Sequence, residues 1–168
     1  MKKKSLLLVL ILMYVLSFSG CTLITFSNES SGEIEYVQKA EVVFDALKEK
    51  NTEKVISMFC QKSQDSHDLK SEIEDVYDFL DGNLVSYENI SGGSGGETFE
   101  SGIKVRANSC PEITGVITDT KHEYTIYVQI VSVYSDDPEW EGVTLITIFD
   151  ENDDTIYKQI GEGFSRSE

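Results

Sequence analysis

The sequence contains few of the residues that build metal centres and disulfide frameworks. It has two His, three Cys and two Pro among 168 residues, and no Cys-x-x-Cys pair or Cys/His cluster has metal-site spacing. Positive charge is also scarce, because 14 Lys and Arg face 30 Asp and Glu, leaving a net charge of -16. This balance excludes a nucleic-acid binder that neutralises phosphates and argues against a polybasic membrane-surface domain. We expect no metal and no other cofactor.

The chain also lacks an apolar run long enough to span a membrane. The longest run extends from Leu6 to Leu16, whereas a membrane-spanning helix needs about 20 apolar residues. Lys2, Lys3 and Lys4 precede this run, and small residues follow it. A basic start, a short apolar core and small residues are the pattern of an exported signal peptide, which we predict over residues 1–20.

The end of this signal carries a recognisable motif. Phe18-Ser19-Gly20-Cys21 resembles the lipobox of bacterial lipoproteins, although Phe18 stands where Leu is usual. The resemblance implies signal cleavage between Gly20 and Cys21 and a diacylglyceryl group on the Cys21 thiol. Two or three acyl chains such as palmitate would hold the chain stably at the outer face of the cell membrane. An ordinary secretory signal, or a membrane span with an unrelated Cys, is the alternative.

Cleavage at this motif defines the predicted domain organisation. A lipidated tether would cover residues 21–32, which contain three Ser, one Asn and one Gly, and a single domain would cover residues 33–168. Removal of the three signal-peptide Lys leaves 11 basic residues against 30 acids, a charge of -19 over 148 residues. We expect this acidic domain to stand off an anionic membrane on its flexible tether.

The first half of the predicted domain is helical. Apolar residues recur every three or four positions from 33 to 50, which predicts a long amphipathic helix. A short helix over 55–59 follows, then a polar stretch over 61–67, then a third helix over about 68–81. Asn51 or Thr52 can cap the second helix, and Gly82 suits a positive φ after the third.

The second half has the pattern of strands. We predict strands over 84–90, 99–107, 113–118, 123–134, 143–149 and 155–160, with a turn or mobile loop from Ser91 to Gly96. The strand over 123–134 is apolar on both faces, which indicates a central position. Helices followed by strands with short connections predict an α+β fold. About three helices would pack on a curved antiparallel sheet of five to six strands.

Two resemblances sharpen this expectation. The Ala46-to-Asn51 stretch and the helix after it resemble the nuclear transport factor 2-like (cystatin-like) fold, which implies a cone-like sheet. The chain is also similar to small bacterial lipoproteins grouped as domain of unknown function 5104. The stretches that carry this second similarity are Phe44 to Leu47, Tyr77 to Gly82, Val85 to Tyr87, Gly92 to Gly96 and Asp119 to Tyr127. Neither resemblance supplies an activity.

Two cysteines remain after Cys21. Exported Cys60 and Cys110 could form a disulfide, and closing a loop of about 50 residues would stabilise the fold by about 4 kcal/mol. Alternatively, both act as small buried hydrophobic residues. The sequence leaves this choice open because it depends on geometry.

Catalytic and metal motifs are weak. His67 beside Asp68 and His122 beside Glu123 could each form a His–carboxylate pair, but their polar surroundings favour solvent-exposed imidazoles. The stretch from Asp150 to Asp154 is similar to the start of a calcium loop without its glycine and its final acid, so an acidic hairpin tip is the better interpretation. We assign no catalytic residue and no metal ligand.

Aromatic residues offer the better functional hypothesis. The chain has eight Tyr and one Trp, and these either fill the core or line a pocket. We name Tyr127 and Trp140 as candidate contact residues. A non-catalytic ligand- or protein-binding module is the leading hypothesis. The alternatives are a cell-envelope enzyme with a cavity His or carboxylate, and a cation-dependent acidic module.

Overall fold

The fold is α+β, with helices preceding an antiparallel sheet. The computed structural model describes residues 31–165, so the predicted cleavage and lipidation residues, Gly20 and Cys21, lie outside the described residues. The helices there are α1 (Ser31–Lys48), α2 (Thr52–Met58), α3 (Gln61–Ser66) and α4 (Leu69–Phe79). The strands are β1 (Leu84–Ser86), β2 (Asn89–Glu100), β3 (Ile103–Thr118), β4 (Glu123–Tyr134), β5 (Gly142–Asp150) and β6 (Asp153–Gly161). A 3₁₀ turn, Pro138–Trp140, connects β4 to β5. Within this part of the chain, no helix has the length and apolarity needed to cross a membrane.

Side-chain caps set the helix boundaries. Asn51 caps α2, as predicted, by accepting a hydrogen bond from the Lys54 N–H at 3.1 Å. The Cys60 thiol occupies the same position at α3 and accepts from the Ser63 N–H at 3.4 Å. The polar stretch over 61–67 is therefore largely helical, and the described residues contain four helices where we predicted about three. We did not predict α3 because Cys is not among the residues that usually cap a helix.

The six strands form one antiparallel sheet. Their order is β1-β3-β4-β5-β6, and β2 also pairs with β3 along the same edge as β1. The prediction that β4 is central is confirmed, because it lies between β3 and β5.

The helices and one face of the sheet enclose a filled core. On β4, alternate residues Tyr124, Ile126 and Val128 are almost fully buried and pack in a cluster with Phe44 of α1 and Ile73 of α4. Side chains of a strand point alternately to its two faces. Thr125, Tyr127 and Gln129 therefore lie on the opposite face of the sheet, away from the helical layer.

The predicted turn from Ser91 to Gly96 is wrong, because these residues lie inside β2. Their glycines let β2 approach β3 closely at a bulge between Ser91 and Ser94. Gly93 has a φ of +72°, and a Cβ there would lie 1.8 Å from the Cys110 carbonyl oxygen. The glycines therefore allow close backbone contact within a strand here, and they do not mark a loop.

The predicted strand over 99–107 is interrupted by a hairpin turn that we did not predict, with 99–100 in β2 and 103–107 in β3. Ser101 and Gly102 have φ angles of 50° and 82°, the left-handed pair of a tight two-residue hairpin turn. Beyond the turn, β3 runs without interruption through Pro111 to Thr118, so the predicted break before 113 does not exist. Pro111 is tolerated because it faces the bulge in β2, where no ladder hydrogen bond is needed.

Candidate functional site

An open groove of about 680 Å³ lies on the sheet face opposite the helices. Strands β3, β4 and β5 and the β5–β6 turn build it, because their outward side chains are brought side by side by the strand register. Tyr127 pairs with Glu112 on one neighbour and with Thr147 on the other. The groove is lined by Glu112, Thr125, Tyr127, Thr147, Phe149, Asp150 and Glu151.

Tyr127, one of the two predicted contact residues, lies in the middle strand of this groove. Its hydroxyl donates a hydrogen bond of 2.6 Å to Oε1 of Glu112. This bond, followed by burial and by the negative charge of Glu112, raises the pKa of the Tyr127 phenol from 10.0 to about 12. The phenol is therefore neutral near pH 7, and its O–H is occupied by the hydrogen bond to Glu112.

Aromatic rings and threonines form the wall and floor. The Phe149 ring meets the Tyr127 ring edge-on, with centroids 5.7 Å apart, and contacts the half-exposed Tyr157 ring of β6 at 5.3 Å. Thr125 and Thr147 lie between them and are 6% and 5% exposed. The polar atoms of the floor are therefore hydroxyl groups of almost fully buried side chains.

Three carboxylates border the groove. Glu112 holds Tyr127, Glu151 accepts a hydrogen bond from the Thr125 hydroxyl, and Asp150 accepts one from the Asn152 N–H at 2.8 Å. The hydrogen bonds from Asn152 and then from His122 lower the pKa of the Asp150 carboxyl. Among residues 31–165, the ion pairs formed by Lys and Arg involve other acids than these three.

His122 has a different partner from the one its sequence neighbours suggested. Its Nε2 lies 2.9 Å from Asp150 Oδ2 and its Nδ1 lies 3.8 Å from Asp81 Oδ2. The imidazole packs against the Tyr124 ring with centroids 4.8 Å apart and is 26% exposed. The His122 side chain is therefore half-buried and held by its neighbours, whereas we expected a solvent-exposed side chain. Its contact with the groove is through Asp150.

His67 is likewise half-buried, at 23% exposure, rather than solvent-exposed. Its Nδ1 lies 2.9 Å from Glu72 Oε1, and its Nε2 lies 3.8 Å from Glu162. The other oxygen of Glu72 accepts the Gly161 N–H at 2.7 Å. The Glu72 carboxylate thus links α4 to the end of β6. This is a structural role at a place away from the groove.

Trp140, the second predicted contact residue, does not line the groove. Its ring packs edge-on against Phe164 with centroids 5.5 Å apart, and Tyr134 contacts the same Phe164 ring at 5.1 Å. The Phe164 N–H donates to Gln129 Oε1 at 2.6 Å. Half-buried Trp140 therefore helps to hold the C-terminal segment, and the structure does not bring it together with Tyr127.

Cys60 and Cys110 are both free, so the structure does not contain the disulfide that we considered between them. Cys60 is 1% exposed, and its thiol lies 3.2 Å from the Ser63 hydroxyl. Cys110 is partly buried in β3, where it borders a second cavity of about 490 Å³ shared with Glu112 and Tyr127. Burial, then the charge of Glu112, raises the pKa of its thiol.

The acidic stretch from Asp150 to Asp154 forms the β5–β6 hairpin tip, with Glu151 and Asn152 in the turn. Within the described part of the chain, no group of three or more His, Cys, Asp or Glu is arranged to hold a metal ion. Two of these acids instead belong to the groove.

Sequence reasoning missed Glu112, Phe149 and the threonines of the groove. The signal for Phe149 and the threonines was the outward phase of β4 and β5, where Thr125 and Tyr127, and Thr147 and Phe149, stand two positions apart. Glu112 lies on β3 and carries no such signal. The register that aligns the three strands could not be seen, because it depends on bulges in the β3–β4 and β4–β5 pairings.

Comparison with known proteins places the chain in a family. No curated protein matches it. The family model described as Domain of unknown function (DUF5104) matches residues 42–151, a span that begins within α1 and includes every residue lining the groove. The chain therefore belongs to the DUF5104 family.

Proposed function

We propose that this protein is an extracytoplasmic lipoprotein, held at the cell membrane by lipid on Cys21, and that its domain is a non-catalytic binding module. The observation that carries the binding function is the groove around Tyr127, where aromatic walls and carboxylates converge on one face of the sheet. Its volume of about 680 Å³ lies within the range of small-ligand sites. The ligand is a small molecule or a protein side chain of similar size.

We also propose that the fold is a nuclear transport factor 2-like cone. Helices that precede an antiparallel sheet support this assignment. The helix-facing side of the sheet is filled by core residues such as Phe44, Ile126 and Ile148. The binding surface of this protein would therefore be the opposite face.

The lipid anchor is tested by Cys21→Ala in the full chain. We expect the variant to leave the membrane fraction and to keep its signal peptide, because only a thiol can accept the diacylglyceryl group. Cys110→Ala, a loss of a thiol in the domain, is the matched control and should fractionate as the unmodified protein does. Membrane association and signal cleavage unchanged in Cys21→Ala would refute the anchor.

The binding function is tested by thermal shift with three probes that share one ring, namely benzylamine, benzyl alcohol and benzoate. A ligand that binds only the folded state raises the melting temperature. We expect at least one probe to do so, and Phe149→Ala to abolish the effect. Phe99→Ala removes an exposed ring from the β2–β3 hairpin and should preserve it. No shift with any probe, or a shift that survives Phe149→Ala, would count against the groove.

A cell-envelope enzyme is the second candidate function, favoured by the pairing of His122 with Asp150 at the border of the groove. Such a pair can orient an imidazole as a general base. Hydrolysis of nitrophenyl acetate or nitrophenyl phosphate by the protein, lost in His122→Gln, would support the enzyme. Equal rates for the protein, the variant and buffer would remove it for these two ester classes.

A further inference from the structure

We propose that the groove binds an organic cation, an ammonium or guanidinium group carried on an apolar stem. This inference rests on the proposed function, because it names the ligand class of that same groove. The shared chemistry covers a free small amine and a basic side chain of a protein.

Negative charge at the border of the groove is the first feature that favours a cation. Some acids elsewhere have basic partners, as in the pairs Glu35–Lys39 at 2.8 Å and Glu97–Lys104 at 2.5 Å. In residues 31–165, the ion pairs within 4.0 Å leave Glu112 and Glu151 without a Lys, Arg or His, and His122 is the partner of Asp150. An entering cation would meet uncompensated negative charge, whereas an anion would be repelled.

The second argument is the hydrogen-bonding capacity of the lining. The Tyr127 and Thr125 hydroxyls already donate to Glu112 and Glu151. Thr147 accepts from the Gln159 amide at 3.2 Å. Apart from the Thr147 O–H, the polar atoms left toward the groove are carboxylate and hydroxyl oxygens whose remaining capacity is to accept hydrogen bonds. Ammonium and guanidinium groups are pure donors and complement such a surface.

The third argument is the aromatic wall. Tyr127 and Phe149 line the groove beside the carboxylates, so a ligand can place its apolar stem on the rings and its charge at the border. The electron-rich faces of aromatic rings attract cations within about 6 Å of the centroid. Two sets of features, carboxylate charge and aromatic faces, therefore favour the same ligand class independently.

The test is calorimetric titration of the full chain with benzylamine, benzyl alcohol and benzoate, which differ in charge but share the ring. We expect benzylamine to bind about tenfold more tightly than benzyl alcohol, a ratio typical of one additional charged contact, and benzoate to bind most weakly. Added NaCl should weaken benzylamine alone, because salt screens the carboxylates. Equal affinities for the amine and the alcohol would overturn the inference.

Paired variants locate the charge. The double variant Glu112→Gln with Glu151→Gln keeps acceptor oxygens for Tyr127 and Thr125, and we expect it to bring benzylamine down to the affinity of benzyl alcohol. Glu74→Gln removes the same type of charge from the exposed side of α4. It should leave the tenfold preference for benzylamine over benzyl alcohol intact. A cation preference that persists in the double variant would overturn the assignment to the groove. The salt series on the unmodified protein keeps the test decisive if the double variant fails to fold.

Two further readouts complete the design. A blocked Phe-Arg dipeptide compared with benzylamine distinguishes a peptide side chain from a small amine as the preferred source of the cation. Suppose that benzyl alcohol or benzoate binds, that Phe149→Ala abolishes this binding, and that benzylamine binds no more tightly. This result would support the proposed binding function but would reject the preference for a cation. Absence of binding by all probes would reject both.

Discussion

At the scale of single residues, the molecule uses carboxylates as hydrogen-bond acceptors that fix neighbouring groups. Glu112 holds the Tyr127 hydroxyl, and Glu72 holds both His67 and the Gly161 N–H. The sequence made Tyr127 a candidate contact residue, but it did not reveal the partner of its hydroxyl. Glu112 lies fifteen residues away in the chain and reaches Tyr127 only because β3 and β4 pair in that register.

Tyr127→Phe should lower the free energy of unfolding by about 1 kcal/mol at neutral pH, because it removes a hydrogen bond to a charged acceptor. The pKa of Tyr127 is raised from 10.0 to about 12 in the folded protein. Its contribution is therefore complete below pH 10 and is lost as pH rises toward 12, because the unfolded chain ionises first. Urea unfolding at a series of alkaline pH values should show a smaller loss for the variant than for the unmodified protein. Parallel losses would contradict the bond to Glu112.

Glu72→Ala should destabilise the fold by about 1–3 kcal/mol, since it leaves the part-buried Gly161 N–H without its acceptor. Urea unfolding followed by fluorescence of Trp140, the one tryptophan in the sequence, measures the change. Glu74→Ala is the control, because this acid lies on the same helix and forms only an exposed pair with Lys70. It should change stability by no more than about 0.5 kcal/mol. Equal effects of the two variants would show that Glu72 does not link α4 to β6.

At the scale of elements, periodicity predicted those segments whose burial is regular. Helix α1 and strand β4 follow from it, because one has apolar residues every three or four positions and the other is apolar on both faces. Helix α3 and strand β2 did not follow. Their formation depends on a thiol cap from Cys60 and on backbone contact at Gly93, which hydrophobic patterning does not record.

Gly93→Ala should cost at least about 2 kcal/mol, because the new Cβ would collide with the Cys110 carbonyl and the residue has a positive φ. Gly96→Ala is the matched control in the same strand. Apart from Gly96 and its two chain neighbours, no described residue has an atom within 4 Å of a Cβ built there, so the stability should change by less than about 1 kcal/mol. Thermal unfolding of both variants provides the comparison. Similar melting temperatures would show that β2 does not approach β3 as described.

At the scale of the whole molecule, acidic charge dominates. A net charge of -16 makes the folded chain repel itself, and salt screens that repulsion. The melting temperature should therefore rise between low and physiological ionic strength, by about 2–4 °C for each kcal/mol gained. Calcium at matched ionic strength should add nothing further, because the stretch that begins at Asp150 lacks the glycine and the final acid of a calcium loop. A specific calcium shift would instead favour the cation-dependent acidic module.

The same scale shows why the site was harder to predict than the fold. Fold class follows from the order of helices and strands, which the sequence displays. The groove arises from three strands whose outward residues come together across bulged pairings, so its acids and rings are dispersed from 112 to 151 in the chain. Charge composition predicted an acidic surface, but not which acids would border the groove.

The central claim is that ligand binds on the sheet face around Tyr127. Amide chemical-shift mapping of the isotopically labelled protein during titration with benzylamine tests it most directly. We predict that the perturbed amides will cluster at Glu112, Tyr127, Thr147 and Phe149, with little change along α1 and α4. Perturbations spread evenly over the acidic surface, or confined to the helical face, would contradict the account.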